Sequence, residues 1–413
     1  MIKNYLKIAI KVLMRRKFYT LVSLFGISFT LLILNVAVAF MDNFFSSDSP
    51  ESRLDRVLSI EHARMYGESW STSGSPGFAL LEKYAQDLPG VEKMSISTRQ
   101  QPVTAFVKGE KLQPSMRRTD ANYWEILDFE FVSGAPYTAS DVDAGNSLAV
   151  INQATETRFF DGKPALGEVL RVDNQAFTVV GVVRDVGYMR ALAFSEIWVP
   201  LTTAKSTAYR ERLRGGMVGI LLVDHPSSFA GVKEEFASRL ADAELPDPVK
   251  FHSLEASAFT RFEHVASEFL DSRFEDPSTG LMALIFSFGG LLFMLLPALN
   301  LVNLSLSRIL ERASEIGVRK AFGASSWTLV GQFLTESIVL TMLGALIALG
   351  LSAVALPLIS SLDAIPYVDL TFNLRAFLYG LLVALMFAIV SGTYPAWRMS
   401  RMHPVQALHG RSA

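Results

Sequence analysis

The six histidines, His62, His225, His252, His264, His403 and His409, are the side chains best suited to proton transfer or metal ligation near neutral pH. No two lie four residues apart as a helical zinc pair requires, so their spacing predicts surface or internally satisfied imidazoles and no metal site. The chain has no cysteine, which removes disulfides, thiolate nucleophiles and cysteine-ligated metals. It also has no Gly-Lys-Ser/Thr phosphate loop, so these residues cannot hydrolyse ATP by the P-loop route. The run Ser73-Gly74-Ser75-Pro76-Gly77 lacks the strand–turn–helix setting of a nucleophile elbow and reads as a flexible Ser/Gly loop. Asp141 and Asp143 pair by eye, but forty acidic residues make such pairs common, and a solvated loop is expected there. No catalytic residue is therefore assigned, and no cofactor.

The elements that surround these residues are largely apolar. Half of the 413 residues are hydrophobic, and the mean hydropathy is +0.30, so part of the chain should lie in lipid. A net charge of -2 gives a nucleic-acid partner no electrostatic support. A helix needs about 20 mainly apolar residues to cross a bilayer. Four runs qualify: 19–41, 280–306, 327–356 and 374–397. Glu336 is the one acid inside a span; it is either a proton-relay group or a residue near the cytoplasmic end of a long tilted helix. The expected fold class is an α-helical membrane protein with four transmembrane helices, one followed by three, and a large α+β extracytoplasmic domain between the first and second.

Lysine and arginine set the orientation. Residues 1–18 carry Lys3, Lys7, Lys11, Arg15, Arg16 and Lys17 with no acid; residues 307–326 carry Arg308, Arg312, Arg319 and Lys320; the tail 398–413 carries Arg398, Arg401 and Arg411. These three segments are expected in the cytoplasm, with 42–279 and 361–373 outside. An A-x-A site at Ala37-Val38-Ala39 admits a cleaved leader as the alternative, but the apolar run is longer than the usual ~7–15 residue leader core. Lys3, Lys7, Lys11 and Arg15 recur every fourth residue with Ile2, Leu6, Ala9 and Leu13 on another face, which predicts an interfacial helix.

Within 42–279, residues 54–61, 91–99, 217–224 and 249–254 read as strands and 78–87 and 227–241 as helices, giving a β-α-β unit at each end. The middle, about 103–205, is β-rich, with strands expected at 147–151, 169–172 and 177–183. An α+β body with a β-rich insertion follows.

The segment 307–326, SRILERASEIGVRKAFGASS, puts Glu311, Glu315, Val318 and Phe322 on one helical face and Arg312, Arg319 and Lys320 on others, with Gly323 as a stop. A solvated positive-inside loop and a docking helix both satisfy the pattern, and its mixed charge with exposed apolar groups favours docking. The run Glu315-Ile316-Gly317-Val318-Arg319-Lys320-Ala321-Phe322-Gly323-Ala324 resembles the signature of the MacB/FtsX-like permeases of ABC transporters. Gln332-Phe333-Leu334-Thr335-Glu336, the tail from Tyr394-Pro395-Ala396 to Pro404-Val405-Gln406-Ala407-Leu408, and residues 149–185 extend that resemblance over nearly the whole chain.

The resemblance implies a mechanotransmission, or type VII ABC, machine. Its separate ATP-binding subunit would carry ATP and magnesium and dock on Glu311, Arg312, Glu315, Gly317, Val318, Arg319, Lys320, Phe322 and Gly323. A second permease subunit would pair through the first two spans, where Gly289, Gly290 and Pro297 suit close packing and a bend. A periplasmic adaptor and outer-membrane channel are further implied partners, and efflux of peptides, toxins or antimicrobials an implied role. The second span has Leu295-Leu296-Pro297-Ala298-Leu299-Asn300 where many relatives have Gly-Ile-Met-Asn, which departs from the family's pairing surface. The alternatives are a lipoprotein-releasing permease and a membrane-anchored sensor or scaffold without ATPase coupling.

Overall fold

The computed structural model describes residues 2–15, 17–272, 274, 277–292, 295, 318, 325–362 and 365–400. The chain divides into two units, one of Met1–Asn43, Ala283–Ala364 and Asp369–Ala413, the other of Phe44–Met282 and Ile365–Val368.

The second unit is built on one mixed 14-stranded sheet. Its path runs Ser253–Phe259, Val57–Tyr66, Met217–Val223, Val91–Thr98, Ser115–Thr119, Ile197–Pro200, Leu148–Asn152, Gln175–Val183, Val169–Val172, Ala105–Val107 and Glu110–Leu112. Met217–Val223 is buried along its whole length, because alternate residues enter different cores. Met217, Leu221 and Val223 join Leu80, Leu81, Val232 and Phe236 on one face. Val218, Ile220 and Leu222 join Tyr123 and Trp198 on the other. Gly219 lets the helical turn at 78–85 lie close, since a Cβ there would stand 2.8 Å from Leu81 Cδ2.

The insertion has its own core around Phe177, Val179, Val182, Ile151 and Val199. A bulge at Val180 in Gln175–Val183 skips one residue against Leu148–Asn152, so Val179 and Val182 face the same core three positions apart.

Several elements differ from the sequence reading. Val249 is 89% exposed and the strand starts at Ser253, four residues late. Ser71–Gly74 is a strand paired with Val57–Tyr66 and Gly77 caps a helix, so the expected flexible loop is ordered strand, turn and helix. The close pass explains it: a Cβ on Gly77 would lie 2.0 Å from the Arg212 carbonyl oxygen. Asp141 lies in the helix Ala139–Ala144 and closes a capping box with Thr138, where the expectation was loop.

In the first unit, Lys17–Phe45 and Val330–Ser361 are long and apolar enough to cross a membrane. Thr279–Leu292 and Leu374–Val390 are shorter apolar helices among the described residues. Only 28% and 33% of the apolar windows of the two long helices are buried, whereas the core helix of a soluble protein is mostly buried. Phe18, Phe25, Phe29 and Ile33 form an exposed stripe on the first, and Leu346, Val354 and Leu358 are exposed on the other. Small residues face inward. A Cβ on Gly344 would meet Ile27 Cγ2 at 2.6 Å, and one on Gly380 would meet Leu34 Cδ2 at 2.8 Å, the close approach that helices use in lipid.

At one end of the unit, Asn373 caps the helix Leu374–Ser400 through the Ala376 amide, and its side-chain amide donates to Asp42. Asn43 donates to the Asp369 carbonyl. Residues 42–43 and 369–373 therefore share an end of the unit. Helix Ile2–Arg15 buries Ala9 and Leu13 and leaves Leu6, Ile10 and Met14 exposed beside Lys7 and Lys11.

Candidate functional site

The sequence assigned its functional residues to 311–323 and to the second apolar run. Glu311, Arg312, Glu315, Gly317, Arg319, Lys320, Phe322, Gly323 and Pro297 lie outside the described residues. Val318 is helical and exposed. Gly289 and Gly290 lie in Thr279–Leu292, and a Cβ at either meets nothing within 4 Å. Glu336 is buried, accepts from Gln332 (3.3 Å) and neighbours buried Ser337 and Thr341.

The most constrained polar centre of the second unit is one the sequence did not reveal. Glu51 is 1% exposed and sits just after the helix Lys17–Phe45 ends. One carboxylate oxygen accepts from Arg261 Nη2 at 2.7 Å; the other accepts the Leu192 and Ala193 amides at 3.0 and 3.2 Å. Arg261 also donates to the Phe44 and Met189 carbonyls. Arg190 lies 4.0 Å from Glu51 and donates to the Ser46 carbonyl and hydroxyl and to Asp48.

Arg261 opens the helix Arg261–Phe269, capped by Thr260 and Glu263 in a reciprocal box. A buried carboxylate needs this density of donors because desolvation of a lone charge costs several kcal/mol. The consequence is mechanical. The first residues of the unit, the segment 189–193 and the helix Arg261–Phe269 are fastened at one point. Glu51 and Arg261 are 210 residues apart, so no local pattern pairs them; the Thr260-x-x-Glu263 box is the only signal the sequence offers for the helix.

Beside this node lies a cavity of about 430 Å³, lined by Phe44, Tyr188, Leu192 and Phe194 with Glu61, Arg99 and Arg117, a size suited to a small ligand. Arg117 is buried and donates to the Ala191 and Phe194 carbonyls. Burial alone would raise the Glu61 carboxyl, but His264, Arg99 and the Ser59 hydroxyl outweigh it and hold the group below its ordinary range. Burial and the neighbouring His264 push His62 down, which favours its neutral form. Ser75 accepts from Arg99 Nε at 2.8 Å, a structural role.

Comparison with known proteins gives the family. The profile of the MacB-like periplasmic core domain matches residues 20–247, and that of the FtsX-like permease C-terminal region matches residues 287–404. The chain is 24% identical over 337 residues to the uncharacterized ABC transporter permease YknZ of Bacillus subtilis, covering 79% of this chain and 78% of that one. It is 27% identical over 291 residues to the macrolide export ATP-binding/permease protein MacB 1 of Yersinia pestis, covering 69% of this chain and 42% of that protein. The chain thus spans less than half of the MacB relatives it matches. Among solved structures, the extracellular domain of YknZ aligns with a TM-score of 0.37 at 16% identity, covering 48% of this chain and 98% of that one. The periplasmic region of MacB from Actinobacillus actinomycetemcomitans aligns at 0.35 and 15%, covering 44% and 83%.

Proposed function

The chain belongs to the MacB-like and FtsX-like family of ABC transporter permeases, and on that premise we propose that it is a transmission subunit that converts ATP hydrolysis on a partner domain into movement of its outer domain. Four helices span the membrane, both termini lie in the cytoplasm, and residues 42–279 work outside it. ATP and magnesium are bound by the partner, which docks on residues 311–323. Two copies, or this chain and a related permease, pair through their first two spans, with Gly289 and Gly290 on the shared face. Efflux of peptides, toxins or antimicrobials is the role we assign, in keeping with the macrolide export named for one relative, with an adaptor and outer channel as the further partners of that reading.

The observation that carries this reading is the buried Glu51–Arg261 junction. It fastens the residues that follow the first apolar helix to the helix Arg261–Phe269, which precedes the second apolar helix in the chain. A displacement passed along either connection moves one fastened body rather than unravelling a loop.

Co-expression with the ATP-binding subunit and pull-down of the complex tests the docking step. Glu315→Lys and Arg319→Glu should each abolish co-purification and transport while leaving the chain folded. Unchanged complex and activity in both variants would eliminate ATPase coupling through 311–323 and favour the sensor or scaffold alternative.

A further inference from the structure

Two histidines that lie 202 positions apart in the sequence meet in the fold. His62 comes from the strand Val57–Tyr66 and His264 from the helix Arg261–Phe269; their rings stack with centroids 5.2 Å apart and planes inclined by 18°. Glu268, one turn after His264, brings a carboxylate oxygen to 3.4 Å from His62 Nε2 and 3.9 Å from His264 Nε2. The ligating atoms of His62, His264 and Glu268 all lie within 4.8 Å of one another. On the other side, Glu61 Oε2 stands 3.5 Å from His264 Nε2.

We propose that His62, His264 and Glu268 form a binding site for a zinc-type divalent metal ion that pins the helix Arg261–Phe269 to the sheet, with Glu61 behind His264. The geometry carries the proposal. A tetrahedral ion with bonds of about 2.0–2.2 Å separates neighbouring ligand atoms by about 3.3–3.6 Å; Glu268 stands 3.4 Å from His62 Nε2 and 3.9 Å from His264 Nε2, and all three ligand atoms lie within 4.8 Å of one another.

A second observation points the same way. His62 Nε2 is buried and makes no hydrogen bond among the described residues, although a buried ring nitrogen normally has a partner. A metal ion at the centre of the cluster supplies that partner. Two imidazoles with one carboxylate match zinc and its neighbours in the transition series and not calcium or magnesium, which take oxygen ligands alone. Ser59 donates to one Glu61 carboxylate oxygen at 3.1 Å and Arg99 stands 3.5 Å from the other, so the carboxylate beside His264 is held in place.

Such an ion would reinforce the same helix that the Glu51–Arg261 junction anchors, without requiring that the transport reading be correct. The site is not visible in the sequence, where no pair of histidines has metal-ligand spacing; it exists only because the first strand and the last helix of the unit are neighbours.

The test uses the full-length chain in detergent, free of any polyhistidine tag and stripped with chelator. Titration with Zn²⁺ against a chromogenic competitor should show one ion per chain, and Co²⁺ in its place should give the intense visible absorption of tetrahedral coordination. Calcium and magnesium should not compete. His62→Ala and His264→Ala should each weaken zinc binding about 100-fold or more, and Glu268→Gln about 10–100-fold, whereas His225→Ala and His252→Ala should leave it unchanged. Zinc should raise the Tm of the parent protein by more than that of Glu268→Gln at the same concentration, and the half-exposed Glu268 side chain tolerates the change. Absence of stoichiometric zinc binding to the folded parent chain would overturn the proposal. Undiminished binding in the folded Glu268→Gln and His264→Ala variants would do the same.

Discussion

The outer unit and the helical unit use the same residue types in opposite directions. In the outer unit Trp198, Phe177 and Phe236 are fully buried, and charges enter the interior only with partners, as Glu51 does with Arg261. In the helical unit Phe18, Phe25 and Phe29 point outward, while Ser23, Asn35, Gly344 and Glu336 lie inside. Water explains the first arrangement, since it drives large apolar groups together. Lipid explains the second, because hydrocarbon surroundings remove that drive and leave close packing and polar contacts to join helices.

The contrast is broken most strongly by removing one half of the buried ion pair. Arg261→Ala leaves Glu51 without its closest cation and should cost about 3–5 kcal/mol of outer-unit stability, read from denaturant unfolding followed by tryptophan fluorescence. Replacing both partners together, Glu51→Leu with Arg261→Met, should recover most of that loss, because the cost lies in the orphaned charge. A double variant as unstable as Arg261→Ala would show that the donors from 192 and 193, rather than the pair, set the stability.

A core truncation separates the units next. Phe236→Ala should destabilise by about 3–5 kcal/mol. The same change at Phe25 in the exposed stripe should fall within about 0.5 kcal/mol when unfolding is measured in detergent or bilayer. Equal effects at the two positions would mean that Phe25 is covered by protein. Overpacking reverses the test: Gly344→Leu must displace Ile27 and should cost about 1–3 kcal/mol, visible as a lower Tm of the helical unit.

The last effect is a pH slope. Burial pushes the Asp120 carboxyl up to about 6, against hydrogen bonds from the Ile96 and Tyr123 amides and the Ser95 hydroxyl. An unfolded aspartate titrates near 3.8. Between these values the folded chain holds the proton more tightly, so its contribution to stability is present at the acid end and is lost as pH rises from about 4 to about 6. The loss is on the order of 1–3 kcal/mol, and Asp120→Asn should flatten it in urea titrations run across that window.

Legibility followed the same divide between local and long-range causes. The strand Met217–Val223 is an unbroken apolar run, and Val169–Val172 was readable to the residue from its turns. Ser115–Thr119 was not, because its buried Arg117 makes a central strand look like surface. Ile197–Pro200 is too short to show a period. The first apolar helix was expected to stop at 41 and continues through Asp42 and Asn43 to Phe45, where those polar side chains bond to Asn373 and Asp369. At the site, Glu51 with Arg261 and His62 with His264 were invisible for one reason: each pair joins opposite ends of the outer segment, and only the sheet order brings them together.

The central claim is that the outer unit moves when a partner hydrolyses ATP. The chain has no cysteine, so Val249→Cys, at an exposed position, accepts a single spin label in each of two copies paired as proposed. Electron–electron distance measurements on the complex with its ATP-binding subunit should give one distribution without nucleotide and a shifted one with ATP trapped, and the shift should disappear in Arg319→Glu. An identical distribution in both states, in a complex that still hydrolyses ATP, would contradict the account.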